Sequence, residues 1–214
     1  MSEVKSLTGH EHSWRLFLEL DPEESCIGAG ASFDKETGVC MLRSFGQDII
    51  ISLQERRIFG KSSIADYLLN RTGHFFDLAL LKYLILAQDM TSAGELIRPS
   101  EVKGGQIFVT GTHVLPVERI ALKFGADPAG FIERGKLLGG EVSEYGDAAV
   151  KLFPFPKMPV TLILWVDDEE FPARVDFFFH KGCVDLFPTD VLWSMAMVTV
   201  MAMEQQIQTV LVSP

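Results

Sequence analysis

The sequence is poor in the features that would assign it quickly. It has three cysteines, Cys26, Cys40 and Cys183, at no paired spacing. That excludes a disulfide scaffold and the four thiolates of an iron–sulfur cluster, and suits buried thiols in a reducing compartment. Its longest apolar run, Val191 to Met203, is broken by Ser194 and Thr199. It falls short of the roughly 20 residues that cross a bilayer as a helix, so it is expected as a core helix and no membrane is expected as a partner. The polar start, Met1 to His12, contains no apolar signal segment, and the expected location is cytoplasmic. Basic charge is scarce too: 19 Lys and Arg against 29 Asp and Glu, a net charge of −10. This excludes a general affinity for nucleic acid, which draws on clustered cations; Arg56, Arg57 and Lys61 read as solvated surface at a strand end.

What is present is core material. An apolar share of 47% with 22% charged residues is the balance of an ordinary globular protein, and 214 residues fit one ample domain. We expect a partly flexible segment over 1–24 and a single α+β domain over 25–214. Three strands open that domain, Cys26–Phe33, Val39–Phe45 and Asp48–Leu53, joined by short turns as an antiparallel meander. A short helix follows over Ser62–Asn70, then a helix over Phe75–Gln88 with apolar residues on every face, hence buried. A loop from Gly94 leads to a strand at Gln106–Val109. Two further helices are expected, Leu115–Phe124 and one capped by Asp127-Pro128 that closes at Gly139-Gly140. Strands at Ala148–Phe153, Val160–Val166 and Ala173–Phe179 return quickly enough to be antiparallel neighbours, and Thr189 or Asp190 caps the last helix. The fold class is α+β, with antiparallel sheet or sheets and helices packed on one side.

Few constellations carry chemistry. Gly28-Ala29-Gly30 is followed by strand-like residues, not by the helix of a phosphate site, and is expected to relieve crowding in a strand. His10 and His12 are the only close histidine pair, in a segment expected to be mobile. His180, Cys183 and Asp185 combine an imidazole, a thiol and a carboxylate that could ligate a metal or form a nucleophile and base, against a reading as a hairpin corner with a buried cysteine. The acidic turn Asp167–Glu170, between Trp165 and Phe171, could hold a hard cation or an acid of raised pKa, against a reading as a solvated turn. Aromatic residues crowd the last third, and Phe177-Phe178-Phe179 must put rings on both faces of a strand, so one face borders a groove, a helix or a partner.

Several motifs carry a family resemblance: Gly104-Gly105-Gln106-Ile107-Phe108, Leu138-Gly139-Gly140-Glu141, Tyr145-Gly146-Asp147-Ala148-Ala149, Leu162-Ile163-Leu164-Trp165, Asp168 to Ala173 and Phe187-Pro188-Thr189-Asp190. In these the C-terminal two-thirds of the chain resembles the bacterial and archaeal domain-of-unknown-function family 3786. Some relatives join this domain to an iron–sulfur module, and the resemblance therefore implies a setting in anaerobic corrinoid, tetrapyrrole or one-carbon metabolism. The chain itself lacks that module, and the resemblance supplies no activity and no cofactor.

The function expected is that of an accessory or ligand-binding protein for a small molecule or tetrapyrrole-like ligand. Its candidate site is Gly104, Gly105, Asp147, Trp165, Asp168, Glu170 and Phe171. Two alternatives stand beside it. One is an enzyme using Asp168 or Glu170 as acid or base, with or without a divalent ion. The other is an assembly subunit meeting a protein partner or a second copy through Phe177–Phe179 or the helix face of Met195, Met197, Met201 and Met203.

Overall fold

A computed structural model describes residues 9–87 and 94–205 of the chain. Eight helices and nine strands form an α+β fold with two antiparallel sheets among these residues. The first sheet runs β1(Ser32–Asp34), β2(Val39–Ser44), β3(Gln47–Ser52), β4(Arg57–Gly60) in spatial order. The second contains β5(Leu96–Ile97), β6(Glu141–Ser143), β7(Ala148–Phe155), β8(Met158–Trp165) and β9(Arg174–His180), in the order β5-β9-β8-β7-β6. The expected opening meander thus gains a fourth strand, because Arg57–Gly60 pairs with Ile49–Ser52.

The start of the chain is helical. Gly9–Glu19 is a helix, α1, whose Trp14 and Phe17 are buried against α4(Phe75–Leu86), so the described part of the segment expected to be partly flexible is packed. Pro22–Gly28 is a second helix, α2, where a strand was expected from Cys26. Asp21 accepts from the amides of Glu23 and Glu24 and Pro22 takes the first turn, which is the cap chemistry that starts a helix. Gly30, at φ +73°, takes the left-handed turn after it, so the Gly-Ala-Gly segment ends a helix and does not relieve a strand.

The expectations for α3(Ser63–Asn70), α4 and α6(Pro128–Leu137) hold. Ser62 accepts from Ala65 N, Asp127 accepts from Gly130 N, and α4 buries Phe76, Leu80, Leu81, Tyr83 and Leu84; Gln88, its expected last residue, lies outside the described part. The helix expected from Leu115 begins at Glu118 as α5(Glu118–Phe124), because Pro116 and the turns before it occupy the approach. Lys181–Leu186 forms α7 in place of a hairpin corner, and α8(Thr189–Glu204) is the expected core helix, preceded by Pro188 without a side-chain cap. No helix among the described residues is long and apolar enough to cross a membrane.

Prolines decide how the two sheets meet. Pro154 has no N–H for the ladder, and the β7–β8 register shifts between Leu152 and Phe155. The carbonyls of Phe153 and Pro154 turn to the first sheet, where they accept from Phe45 N (2.9 Å) and Ser44 Oγ (2.6 Å). Phe45 and Gly46, at φ 46° and 72°, make the two-residue hairpin turn whose twist suits the flanking strands. Gly46 lies against Gly139, which follows α6 at φ +68°; a Cβ on Gly139 would sit 2.5 Å from Gly46 Cα.

This contact yields a paired prediction. Gly73 also has positive φ, but a Cβ there would meet nothing within 4 Å. Gly73→Ala should cost only backbone strain, about 1–2 kcal/mol. Gly139→Ala should cost that plus a backbone clash, about 2–5 kcal/mol in all. Equal losses in urea unfolding would mean that the two sheets do not depend on this approach.

Candidate functional site

Strand β9 is built by alternation. Val175, Phe177 and Phe179 point into the core and are buried, whereas Asp176, Phe178 and His180 are half-buried on the opposite face. Along one side β9 pairs with β8 from Arg174 to Phe179. Along the other, β5 covers only Phe179 and His180, through Ile97 and Leu96. The amide of Lys181 donates to Glu95 O at 3.0 Å, which makes 96/180 a non-hydrogen-bonded pair and 97/179 a hydrogen-bonded one. The next hydrogen-bonded partner of β9 would be residue 99, facing Phe177. That residue is Pro99, with no N–H to give, and its carbonyl is already taken by Val102 N at 3.3 Å. Arg98 N donates instead to the Glu101 carboxylate at 2.7 Å, and the chain leaves the sheet in 3-10 turns at Pro99–Glu101, Gly105–Phe108 and Gly111–His113.

The departing chain forms a wall facing the edge it has abandoned. Phe108 packs edge-on against Phe179 with ring centroids 5.6 Å apart, Leu115 N donates to Phe108 O, and Trp193 Nε1 on α8 donates to His113 O at 2.6 Å. Between this wall and β9 lies a groove of about 360 Å³, lined by Arg98 to Ser100, Phe108, Val109, Val114, Leu115, Val117, Glu118 and Val175 to Phe178. Val109 and Val114 are 48% and 43% exposed, a high share for apolar side chains facing the same hollow. The Arg98 guanidinium lies over the Phe178 ring, 5.7 Å from its centroid, and is the only basic group in the lining. Neither histidine nor cysteine lines the groove, and among the described residues no hydrogen bond joins Ser100 to Glu118 or Asp176.

The residues expected to converge are divided. A Cβ on Gly104, at φ +76°, would meet Thr189 Oγ1 at 3.5 Å, and one on Gly105 would run into the Pro99 carbonyl; both glycines shape the 3-10 turns. Asp147, Asp168, Glu170 and Phe171 belong instead to the turns that precede β7 and β9, and Trp165 is the last residue of β8. Asp147 accepts from Val166 N at 2.9 Å, and Trp165 donates to Asp176 and lies under the Arg174 guanidinium. Asp168 accepts from the amides of Phe171 (2.7 Å) and Glu170 (2.8 Å), and these backbone bonds hold its carboxyl below the usual range. All four carboxylates of the acidic turn are exposed, as is Phe171 at 59%. An acid of raised pKa at Asp168 is therefore corrected: its charge is stabilised by two amides and by water, and Trp165 and Phe171 do not shield it.

The metal candidates diverge. His180 Nε2 lies 3.1 Å from Thr161 Oγ1, Cys183 is buried on α7 near the carbonyls of Lys157 and Pro159, and Asp185 is exposed. Burial pushes the Cys183 thiol up to about 12, the wrong direction for a thiolate ligand. Among the described residues no three His, Cys, Asp or Glu side chains converge on a metal position. His10 packs against Trp14 and His12 contacts Arg15, so this pair is dispersed around α1. All three cysteines are buried free thiols, as expected. Met195 and Met203 are fully buried, which removes half of the methionine face from any surface. Of the Phe177–Phe179 run, Phe178 borders the groove from the outer face. The wall residues Val109, Val114 and Val117 were missed, and the signal for them was Arg98-Pro99, since proline ends a strand pairing.

His180 gives a pH prediction. Burial, aided by the charge of Lys151, lowers its pKa from the usual 6.5. The native state then binds fewer protons than the unfolded chain, so the contribution is complete above pH 6.5 and is lost as pH falls through 6.5 towards the lower folded value. Urea midpoints measured from pH 8 to pH 5 should fall more for the wild type than for His180→Gln. Parallel curves would show that the imidazole is not protected from protonation.

No curated protein and no solved structure matches the chain. The model of one family does, over residues 21–202, a span that takes in the first sheet as well as the C-terminal two-thirds in which the resemblance is visible. The two sheets, the helices between them and the groove-forming turns all fall inside that match, and the chain belongs to the family described as domain of unknown function DUF3786.

Proposed function

We propose that the protein is a non-catalytic accessory protein that binds its ligand in the groove along β9. The observation that carries this reading is the groove itself: a concave space with mostly apolar walls, one cation over an aromatic ring, the carboxylates of Glu118 and Asp176, and no nucleophile hydrogen-bonded to a base. Binding sites commonly have this composition, with apolar contact area and a few polar groups that orient the ligand. The setting in corrinoid, tetrapyrrole or one-carbon metabolism is carried into this proposal by the family resemblance alone. The carboxylate-enzyme alternative draws no support from an exposed, amide-stabilised Asp168.

The groove suits a flat aromatic probe bearing an anion, and 1-anilinonaphthalene-8-sulfonate is such a molecule. The native protein should bind it, and Arg98→Gln and Phe178→Ser should each weaken binding by about fivefold or more. Phe171→Ala, in the exposed acidic turn outside the groove, should leave binding unchanged. Equal binding by all four proteins, or none by the native protein, would sink the groove as a site. Visible absorbance and native mass of anaerobically purified protein would reveal a co-purifying tetrapyrrole directly.

A further inference from the structure

The groove has a floor that a small-molecule site does not need: the unpaired edge of a β-strand. The pairing parity of β9 sends the N–H and C=O of Phe179 to Ile97, and hence those of Phe177 and Val175 to the same side, beyond the point where β5 ends. On that side no backbone or side-chain partner takes them among the described residues, and both residues line the groove. We propose, resting on the groove as the binding site, that its occupant is an extended peptide segment of a partner protein, added as a strand beside Val175–Phe178 with a carboxylate near Arg98.

Four features support a peptide. Main-chain donors and acceptors at strand spacing match another extended main chain, and apolar walls on either side accept its alternate side chains. The space is the one β5 would have filled had Pro99 not turned it away, so the register for an added strand already exists. Glu118 and Asp176 also line the groove, but Asp176 accepts from Trp165 and Arg98 forms no ion pair with either among the described residues, which leaves this cation, at the β5 end, for an acidic group on the partner. A second copy fits poorly, because each copy has this edge at the bottom of its own groove and two recessed edges cannot meet.

The test uses the full chain and synthetic eight-residue peptides with Val, Ile or Thr at alternate positions and one Glu, measured by fluorescence anisotropy and by displacement of the anilinonaphthalene sulfonate. Members of the set should bind and displace the dye. Methylating the alternate amides that face β9 should weaken them by about tenfold or more, since it removes main-chain bonds and keeps every side chain. On the protein, Val175→Pro removes one free-edge N–H without touching the β8 ladder, a substitution that edge strands tolerate, and should produce a similar loss. Amide exchange at Val175 and Phe177 in the wild type should slow when the peptide is bound, a readout that does not depend on the variant folding. Dye binding without any peptide binding would overturn the peptide and leave the groove. Peptides that bind equally well when methylated, with no slowing at Val175 and Phe177, would overturn strand addition. If neither dye nor peptide binds, both readings fail.

Discussion

Tyr83 is a phenol buried among aromatic rings, and the fold is arranged around its hydroxyl. The ring stacks on Phe155 with centroids 4.6 Å apart and on Phe187 at 5.7 Å. The hydroxyl donates to Ala29 O at 2.6 Å and accepts from Lys157 N at 3.1 Å. Burying a hydroxyl without partners costs on the order of 1–3 kcal/mol, so these bonds constrain where the neighbouring segments can lie. One partner is the residue that ends α2 and the other sits in the β7–β8 turn, so a single side chain on the central helix fixes the start of the chain against the second sheet. Burial also pushes the phenol pKa well above its ordinary value, and Tyr83 stays a neutral hydrogen-bonding group.

The same economy of polar groups explains why the groove exists. A buried or half-buried backbone has to pair, and proline withdraws a donor from any position it occupies. At Pro154 the consequence is structural: carbonyls freed from the β7 ladder are used to attach the first sheet. At Pro99 the freed groups are those of β9, and the departing chain satisfies its own groups locally: Arg98 N donates to the Glu101 carboxylate and Pro99 O accepts from Val102 N. Natural sheets usually cover, charge or shorten such an edge. Here the edge is recessed under a wall of valines and Phe108, which blocks edge-to-edge association.

Local signals were legible where cap chemistry and periodicity agreed. Asp127-Pro128 starts α6 and Ser62 starts α3, as read, and the all-round apolar pattern of α4 meant burial. Asp21-Pro22 is the same signal as Asp127-Pro128, yet the Cys26–Phe33 run reads as a strand, because seven residues of helix are too few to display a period. Gln106–Val109 reads as a strand because the run has β propensity; tertiary packing of Phe108 on Phe179 accompanies a 3-10 turn over Gly105–Phe108 instead. In the candidate site, Phe178 was visible as one of three consecutive aromatics, while the acidic turn drew attention by composition alone.

By itself the sequence determined the fold class, the central buried helix and the antiparallel hairpins, because each follows from residue chemistry within a few positions. The groove along β9 was decided only in the tertiary structure. Which strand edge is left bare depends on where Leu96 and Ile97 pair with a strand more than eighty residues away, and which carboxylates are solvated depends on what packs over them. Arg98 and Phe178 are eighty residues apart in the chain, and only the closing of β5 on β9 brings the cation over the ring.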